Sequence, residues 1–374
     1  MSRPRPAGGL LVDDLYAVGL LRGMLEIPSP SFHEQRLAGF LVDAMRDLGL
    51  TAHVDPAGNA IGELGRGPGP VVMMIGHLDT VPGEVPVRSE AGRLYGRGAA
   101  DAKGPLAAMV CAAASATRFG GRLVVVGAVE EETPGSRGAV AIRGTFGKPD
   151  ALIVGEPSGW STVVLGYRGK LDLCYRVECA ATHPSNPVPK ATDWVYRAWT
   201  AALETLGPDA GHESFDRPGV TVTGITGDIA SAAAEFSIRT PPGFDDQGFV
   251  TALRRRLPVG TLEVVHSVAA CRVGRSDPVV SALAQGIREA DARPTYKVKT
   301  ATSDMNTLAE VWDLPMATYG PGDSRLDHAD DENIEIAEYI RGIGVLTTAL
   351  NRLGDPGTGG IGRARATTRL VLKS

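Results

Sequence analysis

Gly76-His77-Leu78-Asp79-Thr80-Val81-Pro82 follows directly on the apolar run 71–75. At an extended strand end, positions i and i+2 share a face, so His77 and Asp79 project together. A neutral imidazole that binds a metal through one nitrogen needs a partner to fix its tautomer and ring orientation. A nearby carboxylate is such a partner. Alone, an H-x-D pair is as readily a hydrogen-bonded histidine at a turn.

Four further segments place polar groups around apolar runs. Tyr95-Gly96-Arg97-Gly98-Ala99-Ala100-Asp101-Ala102-Lys103-Gly104 sets Asp101 in a glycine-flanked loop before an alanine-rich stretch, where an aspartate commonly caps a helix. The run 123–129 leads into Glu130-Glu131-Glu132. Three adjacent carboxylates repel one another unless protons or a cation compensate, and otherwise form a solvated acidic loop. The run 151–154 ends in Gly155-Glu156-Pro157-Ser158, and Tyr319-Gly320-Pro321-Gly322-Asp323-Ser324-Arg325-Leu326-Asp327-His328 places a histidine after a Gly/Pro turn. Each is weak alone. Together they put imidazoles and carboxylates just after short strands, where open α/β sheets bind ligands. Two histidines with several carboxylates suit zinc, cobalt or manganese, and the lack of a thiolate argues against a purely structural zinc site.

The elements that must position these groups are readable in outline. Residues 15–50 have helical apolar spacing broken by Ile27-Pro28-Ser29-Pro30, which predicts two helices around a turn. Strands without polar alternation, with an alanine-rich helix at 104–117, imply an α/β domain whose central mixed sheet is flanked by helices. After about Gly166 the texture changes. Alternation at 171–177, helical spacing at 194–203, strands at 220–225 and 234–239, a helix around 249–253 and a strand at 262–268 give β-α-β-β-α-β, the ferredoxin-like unit. The expected division is a discontinuous α/β domain, 1–166 and 274–374, interrupted by an inserted domain at 167–273. The Gly-, Pro- and Arg-rich ends, 1–9 and 354–374, are expected to be mobile.

Composition narrows the class. Thirty-eight basic against 43 acidic residues leave a net charge of −5, against the basic excess of nucleic-acid binders. Glycine is abundant, at 47 residues, without the G-x-y period of collagen. Cys111, Cys174, Cys179 and Cys271 lie far apart, with no disulfide framework. The N-terminal segment meets Asp13 and Asp14 before any long apolar stretch, and no run approaches a membrane span. A cytoplasmic protein with no nucleic-acid or membrane partner is expected.

These segments resemble the M20 metallopeptidase and deacylase family, across nearly the whole chain and in order. They are Ile27-Pro28-Ser29-Pro30-Ser31, the run from Gly76 to Pro82, the Asp101 loop, the glutamate cluster, the Glu156 turn and the His328 segment. Within the family, Glu130-Glu131-Glu132, Thr302-Ser303-Asp304-Met305-Asn306 and the 319–328 run look most like the amino-group-carrier-protein hydrolases, the [LysW]-lysine/[LysW]-ornithine hydrolases.

The resemblance implies that the discontinuous domain is a zinc-exopeptidase-like catalytic domain with two divalent ions, zinc foremost and cobalt or manganese as alternatives, and that the insert is its lid and dimerisation domain. Asp101 would bridge them, His77 and Glu156 would complete one, and Glu132 and His328 the other. Asp79 would orient His77, and Glu131 would be the general base. The family's cis peptide would fall between Asp101 and Ala102. The cluster's register admits a second assignment, with Glu130 as base and Glu131 as ligand. The family's usual Asp-Glu-Glu favours Glu131 as base. His183, in Thr182-His183-Pro184-Ser185, falls where the family places an oxyanion-stabilising histidine that reaches the partner's site, which implies a homodimer. Otherwise it is a surface loop histidine. Arg239 is a candidate for the substrate carboxylate, or a strand-end surface arginine.

The implied activity is a metal-dependent hydrolase of lysine and arginine biosynthesis. It would cleave the amide that links lysine or ornithine to the C-terminal glutamate of a small acidic carrier protein. A deacylase of free N-acyl amino acids, of the acetylornithine or succinyl-diaminopimelate type, comes next, then a dipeptidase or carboxypeptidase. The segment 227–235 lacks the Asn-x-x-Pro common in the deacylases, which favours the carrier-protein branch. A metal-binding but inactive paralogue is the alternative outside the enzymes, and the presence of Glu131 argues against it.

Overall fold

The apolar runs become the centre of a sheet. Arg122–Ala128, Val71–His77, Ala151–Gly155 and Met316–Thr318 lie side by side and parallel. Their interiors are buried, which is why they carry no polar alternation. Ala60–Gly65 and Thr51–Val54 extend one side antiparallel, and Thr162–Tyr167 pairs antiparallel beyond Met316–Thr318. The sheet is therefore mixed. Because four neighbouring strands run parallel, the loops that follow them leave from one edge; His77 ends one of these strands there, and the loops contain the glutamate cluster, Glu156 and His328.

This architecture comes from a computed structural model that describes residues 12–355 and 361. The ends expected to be mobile, 1–9 and the greater part of 354–374, lie outside the described residues. Two compact units divide the chain: Met1–Leu165 with Val273–Lys297 and Trp312–Ser374, and Gly166–Arg272 with Val298–Val311.

In the first unit, the Lys103–Ser115 helix is buried at all but its last position, and its small alanines let the Ile336–Leu353 helix and the sheet approach it. Gly104 has a steric reason: a Cβ there would stand 2.3 Å from the Ala99 carbonyl oxygen. The Asp14–Leu25 and Gln35–Asp47 helices flank the predicted Pro-rich turn. Asp13 caps the first of them by accepting the Tyr16 N–H at 2.7 Å. A small sheet, Asn333–Glu335 with Arg93–Tyr95 and Arg88–Glu90, ties the segment after His328 to the one before Asp101.

The second unit runs Gly169–Glu178, Ala191–Leu206, Gly219–Gly227, Ser231–Thr240, Asp246–Arg256 and Thr261–Val268, which is β-α-β-β-α-β. Its four strands are all antiparallel, in the spatial order second, third, first, fourth. This is the ferredoxin-like arrangement. Ala232, Ala234, Phe236 and Ile238 alternate into its core with Leu171, Leu173 and Tyr175 from the adjacent strand.

Candidate metal centre

His77 is the last residue of its strand and pairs in register with Ala128, so it stands where the parallel strands end. Its side chain is 1% exposed. Nδ1 lies 2.8 Å from the backbone oxygen of Asp79, and an N–H donating there leaves Nε2 to face carboxylates. Nε2 is 3.3 Å from Asp101 Oδ1 and 3.8 Å from Glu156 Oε1. The other oxygen of Asp101, Oδ2, lies 3.2 Å from His328 Nε2, which is 2.9 Å from Glu132 Oε1. Asp101 thus turns one oxygen to each histidine. Single ligand atoms of His77, Asp101 and Glu132 fall within 4.8 Å of one another, as do those of His77, Glu131 and Glu156.

The helix after Asp101 begins at Lys103 with Ala102 at its N-cap position, so Asp101 is not the helix cap that its position allowed. The peptide bond between Asp101 and Ala102 is cis, as the resemblance implies.

Asp79 meets its expected partner differently from expectation. Its carboxylate is 3.5 Å from His77 Nδ1, and the closer contact is its own backbone carbonyl. The carboxylate instead grips the acidic loop: Oδ1 accepts the N–H of Glu131 and Oδ2 that of Glu132, both at 3.0 Å. Ser31 Oγ donates to Oδ2 at 2.8 Å. Glu130 takes a different course, with a left-handed φ of +59°. Its N–H donates to Glu34 Oε1, and its carboxylate receives Arg137 Nε at 2.6 Å. Glu131 and Glu132 are the members of the cluster grouped with His77.

The electrostatics describe a site with surplus negative charge. Burial opposes a charge on His77, but Asp101, Asp79, Glu131 and Glu156 outweigh it and raise its pKa well above the ordinary value. The hydrogen bond to Asp101, aided by Glu132, lifts His328 to about 9. Burial, with Asp101 adding to it, raises Glu132 although both histidines pull it down. Burial also pushes Asp79 up, yet the neighbouring His77, the Ser31 hydroxyl and the Glu132 N–H bring it below its ordinary value. Protons are drawn onto imidazoles because carboxylates outnumber cations, and divalent ions bound by deprotonated ligands would take the place of those protons. The donor set of imidazole nitrogens and carboxylate oxygens fits zinc, cobalt or manganese.

The two remaining predicted residues belong to the second unit. His183 is exposed, with Nδ1 2.7 Å from Ser185 Oγ. Arg239 is half-buried and donates through Nη1 to Thr302 Oγ1. Burial lowers its pKa while Asp172 works the other way.

Three supporting residues carry no role in the sequence reading. Ser31 bonds Asp79, Glu34 holds the N–H groups of Phe32 and Glu130, and Glu332 holds backbone of the Asp101 loop. Ser31 lies in the Ile27–Pro–Ser–Pro–Ser31 motif and was findable there. Glu34 and Glu332 look like ordinary surface carboxylates in the sequence.

A model described as Peptidase family M20/M25/M40 matches residues 73–352, most of the chain and every metal-facing side chain described above. The chain belongs to the M20 peptidase family. As an M20 protein it is a metallohydrolase that acts on an amide bond, with His77, Asp101, Glu132 and Glu156 as its candidate metal site. It is 42% identical over 354 residues to the [LysW]-lysine hydrolase of Deinococcus radiodurans, a match covering 89% of this chain and 96% of that one. It is 28% identical over 340 residues to the [LysW]-lysine/[LysW]-ornithine hydrolase of Saccharolobus islandicus, covering 89% and 95%. Among solved structures it is similar to the aminopeptidase PepT of Bacillus cereus, with TM-score 0.76 at 14% identity over 92% of this chain and 99% of that one. That last likeness concerns the M20 fold alone.

Proposed function

We propose that this M20 enzyme hydrolyses the amide linking lysine or ornithine to the C-terminal glutamate of a small acidic amino-group carrier protein. The observation that carries the reading is the 42% identity to a [LysW]-lysine hydrolase along 89% of the chain. The absence of the Asn-x-x-Pro pattern from 227–235 supports it further. The working form is a cytoplasmic homodimer with two divalent ions per chain, zinc foremost. No helix among the described residues is long and apolar enough to cross a membrane.

Asp101 would be shared between the ions, with His77 and Glu156 on one and Glu132 and His328 on the other; the two-sided placement of Asp101 supports this division. Such ions act as Lewis acids that polarise the amide carbonyl and make an attacking water more acidic. Glu131 accepts the proton of that water and delivers it to the leaving amine as the C–N bond breaks. Its backbone is anchored by Asp79, and Arg137 engages the rival Glu130, which supports Glu131 as base. On the family resemblance, the partner subunit's His183 donates to the oxyanion, and Arg239, whose planar fork suits bidentate pairing, meets a substrate carboxylate. Asp79 keeps His77 and the acidic loop in place. The second unit serves as lid and dimerisation domain.

Incubating the purified protein with carrier-linked lysine tests the reading. Release of free lysine and intact carrier, abolished by a chelator and restored by zinc or cobalt, is the expected result. Release indifferent to the chelator would overturn the metal-dependent part.

A further inference from the structure

Glu332 follows His328 by four residues, and its side chain is 1% exposed. Its carboxylate is filled with donors from the other ligand-bearing loop. Oε1 accepts the N–H groups of Ala100 and Asp101, each at 2.9 Å. Oε2 accepts the N–H of Gly98 at 2.9 Å and Arg97 Nη1 at 3.0 Å. The stitching also runs through the backbone. Gly96 N–H donates to the Glu332 carbonyl at 3.1 Å, and Arg97 Nη1 donates to the Ala329 carbonyl at 3.0 Å.

The 328–332 segment and the 96–101 loop are therefore joined around one carboxylate. One loop ends in Asp101 and the other begins with His328, whose ligand atoms stand 3.2 Å apart. Metal–ligand distances tolerate errors of only about 0.2 Å. Two loops joined only by the chain would not hold such a relation, because each amide of a glycine-rich turn has freedom to reorient. A fully occupied buried carboxylate removes that freedom, since every displaced N–H would lose a charge-assisted bond in a dry place.

We infer that Glu332 is a positioning residue for the metal centre, setting the separation of Asp101 and His328, with Arg97 as its cationic partner. The inference rests on the reading of Asp101 and His328 as metal ligands.

Glu332→Gln tests it. A glutamine amide places an N–H donor against one set of backbone N–H donors, so part of the grip becomes repulsive while size is kept. Metal titration of the chelator-stripped protein should show affinity reduced about 10–100-fold, the usual cost of removing a group that orients a metal ligand. Hydrogen exchange of the metal-free protein should be faster across 96–101 and unchanged in the Val71–His77 strand. Arg97→Lys, which removes the planar fork but keeps the charge, should move both readouts in the same direction by less. If Glu332→Gln does not fold, Arg97→Lys decides.

Variants that bind metal as tightly as the wild type, or that lose only thermal stability, would overturn the inference and leave the proposed function standing. A wild type that binds no metal would overturn the metal-centre reading itself, and this inference with it.

Discussion

The Asp79 carboxylate accepts the backbone N–H of Glu132 at 3.0 Å, so a residue two positions after His77 holds the loop that faces His77. The same carboxylate receives the Glu131 N–H and the Ser31 hydroxyl. Three donors converge on one buried anion, and an isosteric amide cannot accept them all. Asp79→Asn should therefore lower kcat about 10–100-fold, with weaker metal binding. Ser31→Ala, which removes one donor, should cost about 1 kcal/mol of stability and far less activity. Kinetics and metal titration on the two variants check the order. Equal damage from both would contradict it.

In the proposed mechanism, Glu131 is the member of the cluster that transfers the proton. Glu131→Ala should keep its metal and lose about 10²–10⁴-fold in kcat, the usual worth of a positioned acid–base group. Metal analysis alongside steady-state rates separates this from loss of the site. Near-normal turnover would remove Glu131 as base.

Metal removal should be visible without any substrate. Asp101, Glu132 and Glu156 stand within a few ångströms of the histidines, so the stripped site carries repulsion that bound ions relieve. Ion at 100 times its dissociation constant adds about 2.7 kcal/mol to stability. For a unit of this size that corresponds to roughly 5–10 °C in unfolding temperature. Differential scanning fluorimetry with and without zinc should show this rise, and Glu132→Ala should lose most of it. No shift at saturating metal would contradict the assignment.

The second unit has its own pH signature in His266. Burial holds its pKa below the ordinary value and Lys170 adds to this, against Asp172 and Glu310. The unfolded chain takes up a proton as pH falls through about 6.5 while the folded chain resists it. Its contribution to stability is thus whole above that pH and shrinks on acidification toward the folded pKa. Urea midpoints of wild type and His266→Gln should converge, or reverse, in favour of the variant between pH 7.5 and 5.5. A constant gap would contradict the burial effect.

The strand-end residues were legible because buried parallel strands leave unalternating apolar runs, and a histidine or glutamate at the end of such a run stands out. The ferredoxin-like unit was legible for the opposite reason, since Leu171, Leu173 and Tyr175 alternate with polar residues. Glu332 was hidden because its grip on Gly98 spans 234 positions and engages backbone, which leaves no pattern in side-chain identity. The separate course of Glu130 was hidden in the sequence because it rests on a left-handed backbone and on Arg137, both features of the folded chain. Met316–Thr318 is too short for periodicity to disclose, and nothing in Val298–Val311 marks it as packing with the second unit.

The most direct test of the central claim compares substrates on one metal-loaded preparation. kcat/KM is measured for carrier-linked lysine, carrier-linked ornithine, acetylornithine and succinyl-diaminopimelate, with products identified by mass spectrometry. At least one carrier-linked substrate should be cleaved about 100-fold or more efficiently than either free acyl compound, a difference of roughly 2.7 kcal/mol in transition-state binding. Equal or greater efficiency on a free acyl compound would contradict it.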